Sequence, residues 1–284
     1  MDQFDALFGQ FTPTARAFFA GNLCQAIGFE NPDGLGYLHI LKGGRLRVSG
    51  AGQDAIDIDE PSVLVLPRNA PHAFEVDVDR GADLVCATIQ IGGGLGNPVA
   101  AGLPDLMVIR LADIANLAPT LDLLLDEAFA ARDGRQVALD RLFEYVFVQL
   151  LRHIIASGAV TSGVLAGLAD PRLARAITAM HEGPGRAWSL EDLAERAGMS
   201  RTRFAAHFRS VTGTTAVDYL TRWRMTVAQN LIRRGKPIKS VATAVGYDSP
   251  AALSRAFAKV VGESPRQWAA ANVGRDTIDG PPPR

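Results

Sequence analysis

Two short stretches of this chain, AGMSRTRFAAHF (residues 197–208) and AVGYDSPAALSRAF (residues 244–257), follow one plan. In each, a helix ends at a glycine, a short turn follows, and a second helix begins with apolar anchors on one side and polar residues on the other. In the first copy Ser189 is placed to cap a helix whose first turn holds Glu191 and Asp192, with Leu190, Leu193 and Ala194 as its apolar face. Gly198 breaks that helix, Met199 fills the space beneath the turn, Ser200 caps the next helix, and Phe204 and Phe208 anchor it at i, i+4. In the second copy Val241, Ala242 and Val245 form the face and Gly246 breaks it. Tyr247 fills the turn, Asp248 or Ser249 caps, and Leu253 and Phe257 anchor. The copies differ by one turn residue. This is the plan of a helix-turn-helix, in which a braced second helix offers its free face to a major groove. Those free faces carry Arg201, Thr202, Ala205 and Arg209 in the first copy, and Pro250, Ala251, Arg255 and Lys259 in the second. One such hairpin alone is equally a solvated helical pair. Two in tandem, joined by YLTRWRMTVAQNLIRRG (residues 219–235), favour paired readers of DNA.

Charge supports that reading. The 284 residues hold 29 Lys/Arg and 30 Asp/Glu, a net of −1. Residues 170–272 contain 16 basic and 8 acidic side chains, leaving 13 basic and 22 acidic for the rest. A basic half joined to an acidic half is expected when only one faces a polyanion. A two-domain interaction protein that never touches DNA leaves this split unexplained.

The other half reads as β from Gly36 to Ile91. YLHIL and RLRVS flank Lys42-Gly43-Gly44 as a hairpin, and AIDID, SVLVL, HAFEVDV and LVCATIQI follow, with GGGLGNP ending the region. Short strands so spaced predict a small antiparallel barrel or sandwich. Helices follow Pro119. Leu121, Leu124, Leu125, Ala128 and Phe129 mark one, and a wide stripe from Leu139 to Ile155 marks the next. That stripe fits an intramolecular core or a contact with a second copy. Asp140, Arg141, Glu144 and Arg152 interrupt it, so it is not a membrane span. Residues 158–169 lie in the small, flexible stretch ASGAVTSGVLAG and its flank and read as a linker. The polar, proline-rich residues 273–284 read as a disordered tail.

The stretches DPRLARAITAMHE, WSLEDLAERAGMSRTRFAAHF, YLTRWRM and VGYDSPAALSRAFAKVVGESPRQW, with Gly262, Ser264 and Pro265, resemble the AraC/XylS family of bacterial transcription regulators over about residues 170–270. The resemblance implies that both second helices enter successive major-groove segments, held at fixed spacing by the connecting helix. It implies base reading by Arg201, Thr202, Ala205, Ala206, Ala251, Ala252 and Arg255, with Ser249 and Pro250 at the start of the second reader. Arg224 is implied as a phosphate contact. Alanine reads only a thymine methyl or permits close approach, so specificity is expected from the arginines and from DNA shape.

PRNAPHAFEV resembles a cupin turn, and the N-terminal half resembles the cupin-like sensor of one branch of that family. Catalytic cupins hold a metal with several histidines and a carboxylate. The β region offers only His39 and His72, so neither a metal nor another cofactor is expected. Cys24 and Cys86 fall where that branch tends to carry cysteine, and some of its members respond to oxidants. As residues, the two read first as small core hydrophobes. Cys24, Cys86, His39 and His72 are therefore the candidates for sensing a small ligand or an oxidant.

The expectation is an α+β chain. Residues 1–157 form a cupin-like antiparallel β-barrel followed by helices that offer a dimer contact, 158–169 a linker, and 170–272 an all-α domain with two helix-turn-helix motifs. The expected function is a non-enzymatic, cytoplasmic, homodimeric transcription regulator, an activator or a repressor. It binds a double-stranded DNA operator, answers an unknown small effector or oxidant, and contacts RNA polymerase but no membrane. The rival is a cupin-type metalloenzyme fused to a helical interaction module. No serine elbow, P-loop or dinucleotide fingerprint supports catalysis.

Overall fold

The computed structural model describes residues 13–272 apart from 31–34, 69, 91–99, 101 and 159. The expected tail at 273–284 and the glycine-rich break at 92–98 lie outside the described residues. The chain divides into two compact units, one of Pro13–Gln90 with Pro104–His153 and one of the described residues of Ile91–Leu103 with those from Ile154 to Asn272.

The first unit is built on two antiparallel sheets. One holds, in order, β1 (Thr14–Leu23), β8 (Ala82–Gln90), β3 (Gly36–Gly44), β6 (Ser62–Leu66) and β9 (Met107–Arg110). The other holds β2 (Ile27–Phe29), β7 (His72–Val76), β4 (Leu46–Gly50) and β5 (Gln53–Ile58). The barrel expected from the sequence is thus not closed, because hydrogen-bonded neighbours stay within each sheet. The expected β3–β4 hairpin is also absent. β3 pairs with β6 and β8, β4 pairs with β5 and β7, and the chain changes sheets at Arg45. Gly44 makes that crossing possible with φ +93°, at a place where a Cβ would lie 2.6 Å from the Gly81 carbonyl oxygen. Between the sheets Leu41, Leu64, Leu84 and Cys86 of one meet Leu46, Val48 and Phe74 of the other. Every residue of β6 and the first six of β3 are buried, which is why those strands do not alternate.

Helices α1 (Ala118–Phe129) and α2 (Arg135–Ser157) follow the sheets. β1, β2 and β9 fall outside the region read as β. A bulge between Ala17 and Phe19 explains why β1 lacks a strand-like alternation. β1 is the edge strand of its sheet, and α2 meets its open side, since Ala17 N–H donates to Asp140 Oδ1 at 2.8 Å and Gln136 Nε2 donates to Ala17 O at 2.8 Å.

The second unit is helical. α3 (Gly163–Ala169) occupies most of the stretch read as a linker, and its Val164, Leu165, Ala166, Gly167 and Leu168 are buried. The correction has a steric cause. Gly167 is small because a Cβ there would sit 2.7 Å from Ile177 Cδ1, so these residues mark close packing rather than flexibility. Next come α4 (Pro171–Glu182), α5 (Leu190–Ala197), α6 (Arg201–Thr212), α7 (Ala216–Arg233), α8 (Ile238–Ala244), α9 (Pro250–Val261) and α10 (Pro265–Asn272). α5–α6 and α8–α9 are the two hairpins, and α7 connects them. Aromatic contacts run through the core: Phe204 to Phe208 (5.5 Å between centroids), Phe208 to Tyr219 (5.8 Å), His181 stacked on Trp223 (3.9 Å), and Phe257 to Trp268 (6.1 Å).

Candidate nucleic-acid interface and sensor cleft

Both turns are built the same way. α5 ends at Gly198 with φ +65°, and Met199 N–H donates to Ala194 O at 2.9 Å. After α8, Gly246 has φ +78°, and Tyr247 N–H donates to Ala242 O at 2.9 Å. In both, the residue after a left-handed glycine reaches back five positions, satisfying a carbonyl the helix end leaves open. A capping box between Ser189 and Asp192 starts α5. Ser249 Oγ accepts from Ala252 N at 3.2 Å to start α9, which settles the cap in favour of Ser249 over Asp248. Ser200 makes no side-chain cap hydrogen bond. Met199 and Tyr247 are half-buried, less enclosed than core plugs.

Phe204, Phe208 and Thr212 hold α6 to the core, and Leu253 and Phe257 hold α9. The free side of α6 exposes Arg201, Thr202, Arg203, Ala206, Arg209 and Ser210, with Ala205 half-buried. α9 exposes Pro250, Ala251, Arg255, Ala258 and Lys259, with Ser249 and Ala252 half-buried. Arg203, Ser210 and Ala258 are members of these faces that the sequence reading passed over; counting positions from the buried Phe204 and Leu253 finds them. Arg203, Arg209, Arg255 and Lys259 form no ion pair among the described residues. Arg201 lies 3.1 Å from Glu191, but both are about two-thirds exposed, and such a pair is worth only about 0–1 kcal/mol. It is readily exchanged for a phosphate or a base.

Arg224 is not on this face. Its Nε donates to Pro184 O at 2.7 Å, its Nη2 donates to Arg186 O at 2.9 Å, and its guanidinium lies 5.7 Å from the centre of the Tyr247 ring. Two of the guanidinium's five N–H donors are thus committed to backbone carbonyls.

In the first unit, a small cleft lined by Phe18, Phe19, Leu23, Ile27, Phe29, Leu84 and Cys86 has a cavity volume of about 80 Å³. Beside it lie His39 and His72, with their Nε2 atoms 3.0 Å apart. His72 Nδ1 is 2.8 Å from Ala70 O, which only accepts, so Nδ1 carries the proton and Nε2 accepts from His39 Nε2–H. His39 Nδ1 is then a bare, buried lone pair with no partner. Phe18, Phe29, Tyr37 and Phe74 surround the pair. Burial holds both imidazoles neutral, His72 falling to about 4 and His39 well below its ordinary range. Their facing nitrogens hydrogen-bond one another instead of converging on an ion. Among the described residues no group of three or more His, Cys, Asp or Glu is placed to hold a metal.

The two cysteines are separate. Cys86 is buried and its thiol is pushed well up by burial alone, while Cys24 is exposed and donates to Asn22 Oδ1 at 2.8 Å. In the β1–β8 register Cys86 stands opposite Phe19, five residues from Cys24. At ~3.3 Å per residue the two Cα atoms are roughly 17 Å apart, beyond the Cα separation of about 7 Å that a disulfide tolerates. An intramolecular bridge therefore requires the strands to move. Arg45 and Arg47 turn toward Asp57, and Arg68 toward Asp105.

Paired helix-turn-helix units with free basic faces, preceded by a two-sheet domain with an apolar cleft, define a two-domain DNA-binding regulator. Comparison with known proteins agrees. A family described as Cupin matches residues 2–156, and one described as Helix-turn-helix domain matches residues 193–271. An AraC-like transcription regulator of Streptomyces lividans is 37% identical over 221 residues, covering 71% of this chain and 72% of the relative. Another from Streptomyces antibioticus is 29% identical over 275 residues, covering 86% of this chain and 89% of the relative. A solved DNA-binding domain of AdpA, a global transcriptional factor, in complex with a target DNA is 33% identical. It covers 39% of this chain and 99% of that chain, with a TM-score of 0.35. The chain belongs to the AraC/XylS family of transcription regulators and carries a cupin-type N-terminal domain. No helix of the described residues is long and apolar enough to cross a membrane.

Proposed function

We propose that α6 and α9 lie in successive major-groove segments of one operator. Arg201, Thr202, Ala205, Ala206 and Arg209 serve the first segment, and Ser249, Pro250, Ala251, Ala252, Arg255 and Lys259 the second. The observation that carries this reading is the pair of turns closed by the same left-handed glycine and five-residue backbone bond, each presenting a free basic helix face. In this reading the protein works in the cytoplasm as a homodimer, contacts RNA polymerase, and catalyses nothing. Its signal is a small, largely apolar molecule entering the aromatic cleft. A buried, neutral Cys86 far from Cys24 supports that signal over a thiol pair.

The test begins with duplexes selected from a random library by the purified protein. Arg255→Ala is expected to cost roughly 1–3 kcal/mol at the selected site and to relax preference at one base position. Affinity is expected to fall steeply with salt as phosphate contacts release counterions. Binding that ignores salt, or an Arg255→Ala variant indistinguishable from wild type, overturns the assignment.

A further inference from the structure

We infer that Arg224 is a positioning residue that sets the rotation of the two DNA readers relative to one another, by pinning the loop before the first against the turn of the second. The inference rests on the DNA-binding reading and adds a mechanism for its geometry.

The loop between α4 and α5 is a tongue in which the Gly183, Pro184 and Arg186 carbonyls are engaged. Gly183 O accepts from Arg186 N at 3.1 Å and from Trp188 Nε1 at 2.9 Å, and Arg186 O accepts from Trp188 N at 2.9 Å. Arg186 also lies over the Trp188 ring, 4.2 Å from its centre. The tongue therefore holds its own shape up to Ser189, the first residue of the α5 capping box. Arg224, midway along α7, takes the Pro184 and Arg186 carbonyls through Nε and Nη2. Its outer side lies against Tyr247, the residue after the second turn glycine, with the guanidinium 5.7 Å from the ring centre.

The glycines show how close the two parts lie. A Cβ on Gly185 would sit 2.7 Å from Ala244 O, the last residue of α8. A Cβ on Gly246 would sit 2.7 Å from Gly185 O and 2.9 Å from Arg224 Nη2. The first hairpin's tongue and the second hairpin's turn thus touch backbone to backbone, with one guanidinium bonded to the tongue and packed against the turn. α7 alone fixes the distance along its axis. The rotation of one hairpin against the other about that axis needs a second tie, and Arg224 supplies it. A planar fork reaching two carbonyls at fixed angles does this, whereas a lysine ammonium does not.

The experiment selects duplexes from a random library with wild type, Arg224→Ala, Arg224→Lys and Gly185→Ala, then compares the separation of the two enriched sequence blocks. Wild type is expected to give two blocks at one fixed separation of about one helical turn. In Arg224→Ala and Gly185→Ala the same blocks are expected with separation spread over several base pairs. Affinity for the wild-type spacing should fall at least tenfold, while affinity for each block alone stays within about twofold. Arg224→Lys should fall between them. Gly185→Ala separates the two parts without touching the arginine, so it keeps the test open if Arg224→Ala melts below the assay temperature. Unchanged spacing in both Arg224→Lys and Gly185→Ala overturns the inference. So does a uniform loss on all sequences by Arg224→Ala with a shallower salt slope, which marks a phosphate contact. Failure of wild type to enrich any sequence instead counts against the DNA-binding assignment.

Discussion

His181 is buried completely, stacked on Trp223, with Nε2 hydrogen-bonded to the Tyr219 hydroxyl. Burial lowers its pKa to about 3 from an ordinary 6.5. The folded state holds it neutral while the unfolded chain takes a proton below 6.5, so its contribution is fully present above that pH. The loss runs from 6.5 down to about 3 at roughly 1.4 kcal/mol per pH unit. Denaturant melts between pH 4.5 and 7 should show this slope in the helical unit. His181→Phe should remove most of it, at a loss of about 1–3 kcal/mol at pH 7 from the unpaired Tyr219 hydroxyl. An unchanged acid slope in that variant places the sensitivity elsewhere, His72 with its value near 4 being the next group to test. None of this was legible from the sequence, where His181 is one more histidine in a helix. Its role comes from Tyr219 and Trp223, 38 and 42 positions away.

At the scale of elements, the two turn glycines look equivalent in sequence and differ in space. Gly198 needs only its left-handed backbone, for a Cβ there meets nothing closer than Arg175 Nη2 at 3.3 Å. Gly246 needs the same backbone and also lies against Gly185 O. Asparagine tolerates the left-handed region but brings a Cβ. Gly198→Asn is therefore expected to cost about 1 kcal/mol in thermal melts and to keep operator affinity. Gly246→Asn should lose affinity by an order of magnitude or more. Equal behaviour at the two sites contradicts the proposed contact between tongue and turn. The sequence showed the hairpins clearly because their information is local: a capping serine, a glycine stop, and anchors at i, i+4. It misread the β3–β4 connection and the stretch 158–169 for the opposite reason. Small residues serve both a turn and a tight packing contact, and only the partner, Gly81 for Gly44 or Ile177 for Gly167, tells which.

For the whole molecule, the open matter is what the first unit senses and how the signal is tested without assuming the ligand. A cleft lined by Phe18, Phe19, Phe29 and Leu84 excludes ions and favours an apolar guest, with the His39–His72 pair buried beside it. A thiol switch instead requires an accessible thiolate, and burial denies Cys86 that form. The two readings separate in a reporter strain carrying the selected operator. Cys24→Ser and Cys86→Ser are expected to leave the promoter's response to the cell's own inducing condition unchanged, and mild oxidant should add nothing in wild type. Leu84→Phe adds bulk on the cleft wall. It should blunt induction while the purified variant binds operator within about twofold of wild type, because the substitution lies in the other unit. Overfilling commonly costs about 1–3 kcal/mol, so a melt of the purified variant accompanies the assay. Induction lost in the serine variants but kept in a stable Leu84→Phe would reverse the assignment and make the cysteines the sensor.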